Sequence, residues 1–183
     1  MRDLQSPTAE LSPQQKRKLL ADLLLEKSAR PRTFPLSMMQ EPLWLLDQLE
    51  PGSPFYNIPA AVRLSGPLDV EVLRRSLDCL VRRHGTLRTT FVGAEGHPVQ
   101  RVAQRLQLDL PLDDLSELDP RQQGSEMERR AVEEAQRPFD LVHGPLLRVR
   151  LLRMAETDHL FLLTMLGLVL KYLVRTLAHL LKT

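Results

Sequence analysis

Between Asp69 and Val92 the spacing of apolar residues changes period within a few positions, which excludes an all-helical or an all-strand reading of that stretch. Val70, Leu73, Leu77, Leu80 and Val81 recur at helical spacing and line one face. Asp69 can cap the first turn with its side-chain oxygen, and Gly85 suits a helix stop. Residues 87–92 follow at once, apolar and β-branched, in the composition of a strand. A helix that runs directly into a strand, each with an apolar side, has to bury both sides in a shared layer.

The rest of the chain repeats this mixture. Ile58, Ala60, Val62 and Leu64 alternate and predict a half-buried strand despite Pro59. Residues 87–92 and 98–103 flank Gly93-Ala94-Glu95-Gly96 and predict a hairpin. Residues 106–112 alternate as a further strand. Residues 122–136 read as a charged helix with few apolar positions, lying on the outside of a sheet. Residues 146–154 and 160–165 read as two strands joined by a polar turn at 155–158. The expected class is α+β, in layers.

Three segments are expected. Residues 1–33 hold an N-terminal helix and linker. Ser12, Pro13 and Gln15 read as a capping box with proline in the first turn, and Leu19, Leu20, Leu23 and Leu24 share a face. Residues 34–165 form the main body, opening with a short helix over 37–49 that Pro42 allows to begin properly only at position 42. Residues 166–183 are a Leu-rich amphipathic tail, with Lys171, Arg175 and His179 on one stripe. Its apolar run is shorter than the about 20 residues of a membrane-spanning helix. A membrane-surface helix and self-association remain open for it.

Composition narrows the function classes. With 43% hydrophobic and 26% charged residues the chain is globular. A formal charge of +2, with arginines scattered along the chain, argues against nucleic acid. Cys79 stands alone, so there is neither a disulfide nor a zinc site, and its helical position suggests a buried structural thiol. The first residues lack an apolar signal core, which points to the cytoplasm. His84, His97, His143, His159 and His179 are scattered, and Ser37, Ser76 and Cys79 have no base at readable spacing. From the residues alone, an enzyme and a binding module both stay open.

Three stretches, in order, resemble the condensation domains of nonribosomal peptide synthetases. Residues 36–46, Leu-Ser-Met-Met-Gln-Glu-Pro-Leu-Trp-Leu-Leu, are similar to the family pattern SxAQxRLWxL through Ser37, Gln40, Leu43, Trp44 and Leu46; Met39 and Pro42 depart from it. Residues 83–91 are similar to RHExLRTxF through Arg83, His84, Leu87, Arg88, Thr89 and Phe91, with Gly85 in place of the acid. Residues 138–148 are similar to PFDLxxGPLLR. The helix over 11–25 resembles one that often precedes such domains. The resemblance covers residues 11–165.

It implies the first lobe of a chloramphenicol-acetyltransferase-like two-layer α/β sandwich, with the active site between two lobes. It implies amide-bond formation between carrier-bound aminoacyl or peptidyl thioesters. The partners would be carrier proteins, and the only prosthetic group their phosphopantetheine; no metal or organic cofactor belongs to the domain itself. The family's catalytic HHxxxDG motif follows a strand like 160–165. In register it would fall on Leu166, Gly167, Lys171 and Tyr172, and none matches. No catalytic residue is therefore assigned. Arg88 stands among apolar strand neighbours and is expected to make a buried or half-buried ion pair; the resemblance implies the aspartate of the missing motif as that partner, which would leave Arg88 without it here. The expectation is a fragment truncated before the catalytic motif and inactive alone; the alternative is a non-catalytic interaction or membrane-surface module using the C-terminal helix.

Overall fold

The computed structural model describes residues 12–29, 32–94 and 97–168. The polar residues 1–11 and, of the expected tail, residues 169–183 with the basic stripe lie outside them, while Leu166, expected to open that tail, ends the last strand of the fold. The chain divides into two compact units, Met1–Arg32 and Thr33–Thr183. In the first, helix α1 spans Pro13–Ala29. It opens on the expected capping box. The Gln15 N–H donates to Ser12 Oγ at 3.3 Å, and the Ser12 N–H donates back to Gln15 Oε1 at 2.9 Å. Leu19 and Leu20 are exposed on it.

In the second unit the elements run β1 (Arg32–Pro35), α2 (Gln40–Leu49), β2 (Asn57–Ser65), α3 (Val70–Arg83), β3 (Thr89–Ala94), β4 (His97–Val102), β5 (Leu112–Asp114), α4 (Pro120–Gln136), β6 (Leu147–Ala155) and β7 (Asp158–Leu166). They form a three-stranded sheet ordered β1-β4-β3 and a four-stranded sheet ordered β2-β7-β6-β5. β6 and β7 are antiparallel across the predicted turn, while β5 runs parallel to β6. The parallel pair needs a long crossover, and α4 supplies it. β2 pairs only with β7, so it is an edge strand. That is why Pro59 is tolerated there: the missing N–H is needed on one side only.

Over residues 147–152 β6 is covered on both faces. Leu147, Val149 and Leu151 join the main core with Phe161, Leu163 and Met165 of β7 and Val81, Leu73 and Leu77 of α3. On the opposite face Leu152 packs with Leu162, Leu115 and the α4 residues Met127 and Ala131. Leu151 and Leu152 are both 0% exposed. α4 thus covers the sheet with two apolar residues, and arginines complete the contact. Arg148 Nε donates to Glu134 Oε1 at 2.6 Å, and its guanidinium lies 3.7 Å over the Phe139 ring. Arg150 and Arg130 share Asp113 Oδ2 at 2.7 and 3.0 Å. Burial pulls the Arg148 guanidinium below its ordinary range, and Glu134 only partly offsets this. Arg150 is pulled the same way by burial, but Asp113 and Glu134 together leave it raised.

Several boundaries differ from the sequence reading. α2 begins at Gln40, because Pro42 sits in the first turn, where a backbone N–H has no helical partner to lose. The strand expected over 106–112 is reduced to β5. Leu108 and Leu110 are buried as the alternation predicted, yet only 112–114 pair with β6, and Pro111 contributes a carbonyl to Leu151 but no N–H. Cys79 is exposed, not buried. It lies between the apolar positions 77, 80 and 81, on the outer side of α3.

Leu151→Ala should destabilise the second unit by about 2–5 kcal/mol, the usual cost of emptying a closed core site, read as a lowered urea midpoint. A pH effect follows from Glu126, whose carboxyl is held down to about 2, first by Arg129 and then by Arg130. Because the folded value is depressed, this stabilisation is complete above the ordinary 4.5 and is lost as pH falls toward about 2. Glu126→Gln should flatten that part of the acid loss in urea titrations at stepped pH.

Candidate functional site

The joint between α3 and β3 carries the second motif. Asp69 Oδ1 accepts from the N–H groups of Glu71 and Val72 and starts α3 as predicted. The helix closes at His84, whose N–H reaches Leu80 O at 3.0 Å. Gly85 then opens a 3-10 turn, Gly85–Arg88, rather than a left-handed cap, so the strand begins two residues later than expected. Leu87 and Phe91 enter the main core at 4% and 1% exposure, while Arg83 stays on the surface. Thr89 Oγ1 donates back to Gly85 O at 3.0 Å, and the Phe91 N–H donates to Leu141 O at 2.7 Å.

Among the described residues Arg88 makes no ion pair of the kind the sequence suggested. Its half-buried guanidinium donates to four backbone carbonyls: Val81 at 3.0 Å, Arg82 at 3.3 Å, Gln104 at 2.9 Å, and Ala103. Two of these belong to the last turn of α3, where carbonyls lack helical partners and the helix dipole is negative. A cation in that position is neutralised by dipoles and needs no carboxylate.

The first motif meets the end of β7. Leu43 and Trp44 are half-buried against the main core, so Trp44 packs less deeply than a core position would. Gln40 is buried at 8% exposure. Its Oε1 accepts the Ser37 N–H at 2.9 Å, and its Nε2 donates to Leu168 O and to Gln100 Oε1, each at 3.3 Å. Gln100 Nε2 in turn donates to Pro35 O at 2.9 Å. Gln100 was not singled out in the sequence. Its signal there was weak: one polar residue in a strand, opposite Phe91 in the hairpin register.

At the exit of β7, Leu166 is 4% exposed in the main core and donates its N–H to Leu146 O at 3.1 Å. Gly167 follows. A Cβ there would lie 3.3 Å from Tyr56 O, tighter than side chains ordinarily pack, and in ordinary contact with Ile58 Cδ1 at 3.7 Å. The polar side chains bonded around this exit are amides, which hold geometry but do not shuttle protons near neutral pH.

The other candidate groups do not assemble a reactive pair. His159 is buried on β7 with Nδ1 unpartnered. His143 is exposed, with Nδ1 2.8 Å from Asp140 Oδ2; the His143 backbone N–H and then its ring hold the Asp140 carboxyl below the usual range. Ser76 donates its hydroxyl to Val72 O. No three His, Cys, Asp or Glu among the described residues gather as metal ligands. A cleft of about 540 Å³ lies along Leu147–Arg150, walled by Gln107–Pro111 and the end of α4; in it Arg148 and Arg150 are already matched to Glu134 and Asp113.

Compared with known proteins, the sequence model of the family described as the condensation domain matches residues 31–169. The chain belongs to the condensation-domain family. It is 46% identical to a linear gramicidin synthase of Brevibacillus parabrevis over 136 residues, 74% of this chain and 2% of that protein. It is 41% identical to phosphinothricin tripeptide synthetase PhsC of Streptomyces viridochromogenes over 177 residues, 90% of this chain and 16% of that protein. In structure it is similar to the starter condensation domain of rhizomide synthetase RzmA, with a TM-score of 0.66 and 28% identity over 75% of this chain and 33% of that one. The chain thus spans a third of a solved condensation domain and a small part of the synthetases it matches. The α+β architecture expected from the sequence is the condensation-domain one.

Replacing Arg88 by Met leaves four carbonyls without their donor, and should cost about 1–3 kcal/mol in urea unfolding. Because no carboxylate is involved, the difference between the two proteins should be the same at pH 7 and pH 4. A cost that shrinks as carboxylates protonate would point back to an ion pair.

Proposed function

We propose that these 183 residues are a first-lobe portion of a condensation domain from a nonribosomal peptide synthetase, and that they do not form amide bonds by themselves. The observation that carries this reading is the exit of β7. Leu166 is buried in the core and Gly167 has no side chain, at the two positions where the family pattern puts histidines. An amine attacking a thioester must lose a proton, and imidazole is suited to take it near neutral pH. Neither leucine nor glycine can. The exposed apolar residues of α2 and its flanks support the same reading. Met39, Leu45, Leu49 and Phe55 are 67%, 55%, 69% and 81% exposed, as for a lobe separated from the remainder of its domain.

The parent activity would join two carrier-bound aminoacyl or peptidyl groups, with carrier proteins as partners and phosphopantetheine as their arm. No cofactor held by this chain is part of the proposal. The setting proposed is cytoplasmic; among the described residues no helix is long and apolar enough to cross a membrane.

In an assay with two carrier proteins loaded with aminoacyl thioesters, the purified chain should release no more dipeptidyl product than the uncatalysed control. Leu166→His/Gly167→His should stay equally inactive, because these residues span only a third of a solved condensation domain. Turnover by either protein, read by mass spectrometry of the carrier-bound product, overturns the proposal.

A further inference from the structure

We infer that Gln40 and Gln100 form a positioning relay that fixes the path of the chain as it leaves β7. Its bearing on catalysis rests on the function proposed above, since the family's histidine pair would begin that path; the relay itself does not. The orientation of both amides is set by partners whose roles are unambiguous. The Ser37 N–H can only donate, so it takes Gln40 Oε1 and turns Nε2 toward Leu168 O, which can only accept. Gln40 Nε2 also donates to Gln100 Oε1, which turns Gln100 Nε2 toward Pro35 O, again an acceptor only. One line of hydrogen bonds therefore ties β1, the start of α2, the β4 strand and the residue after Gly167.

Burial gives the relay its force. Gln40 and Leu168 are 8% and 6% exposed, so water does not readily replace a lost partner. The Gln40 backbone N–H is also used, donating to Ser37 O at 2.8 Å. Leu166, two residues upstream of the clamped carbonyl, is held by Leu146 O. The peptide at position 167 is thus fixed from both sides. Gln40 is accordingly a positioning residue and Gln100 its support.

The relay is tested with Gln40→Glu on the whole chain, followed from pH 7 to pH 3 by the Leu168 carbonyl 13C shift and by exchange of the Leu166, Gly167 and Leu168 amides. A protonated glutamic acid still accepts from Ser37 and donates to Leu168 O. The ionised form keeps the acceptors and loses the donor. The expected profile is native-like at low pH. Above the pKa of the new carboxyl the carbonyl shift moves, and exchange, corrected for its intrinsic pH dependence, quickens about tenfold, the factor one net hydrogen bond confers. The unmodified protein should be flat. Gln100→Leu should give a smaller, pH-independent change at the same residues. If Gln40→Glu does not fold at neutral pH, the fold itself becomes the readout, with Gln40→Met as reference: loss only above the carboxyl pKa supports the relay, and equal loss in both overturns it. A flat profile in Gln40→Glu, or change spread evenly over β2 and β6, also overturns it.

Discussion

Residues 147–152 of β6 must be satisfied on both faces of a covered strand, and most of the second unit follows from that. The strand lies between α3 on one face and α4 on the other, so its apolar residues cannot all point one way. Leu147, Val149 and Leu151 serve the first core and Leu152 the second. Arg148 and Arg150 also face the α4 side, where an unpaired charge would be costly. Glu134 and Asp113 answer them. Asp113 belongs to β5 and Glu134 to the last turns of α4, so the two arginines fix the position of the crossover that joins the parallel strands. Arg148 extends this to the loop beyond α4 by donating to Arg137 O and Pro138 O, at 2.6 and 3.0 Å. The Pro138-Phe139-Asp140 motif is thereby attached to the middle of the sheet.

The elements that were legible in the sequence are those whose signal is local. The Asp69 cap, the capping box of α1, the β3–β4 hairpin and the β6–β7 turn each depend on residues within a few positions of one another, and each is found. What was not legible depends on partners far along the chain. Arg88 looked like half of an ion pair because a cation among apolar residues usually is one. Its actual partners are backbone carbonyls of residues 81, 82, 103 and 104, and no side-chain pattern records a free carbonyl. Gln100 reaches Pro35 and Gln40 across sixty or more positions, so nothing beside it in the sequence marked it. The alternation over 106–112 gave the correct buried residues and the wrong element, because alternation reports burial, and pairing needs a neighbour with free backbone groups.

The motifs that mark the family therefore divide by what they do here. The second builds a joint: Arg88 closes the end of α3, Thr89 braces the turn, and Leu87 and Phe91 anchor it in the core. The first reaches the exit of β7 through Gln40. Both are arrangements of scaffold, and the first is built beside positions that hold Leu166 and Gly167. The scaffold of the site and its chemistry are separable in this chain.

Gly167 also bears on whether that separation can be undone. Its backbone runs near enough to the Tyr56 carbonyl, just before β2, that a new Cβ would need that carbonyl to give by a few tenths of an ångström. β2 is in turn registered to β7 from Asn57↔Leu166 to Ser65↔Asp158, so a shift at its start is resisted along nine pairs. A codon change to histidine at this position would meet a neighbourhood already fitted to glycine. Whether a side chain fits at position 167 is thus decided by residues over a hundred positions earlier in the chain.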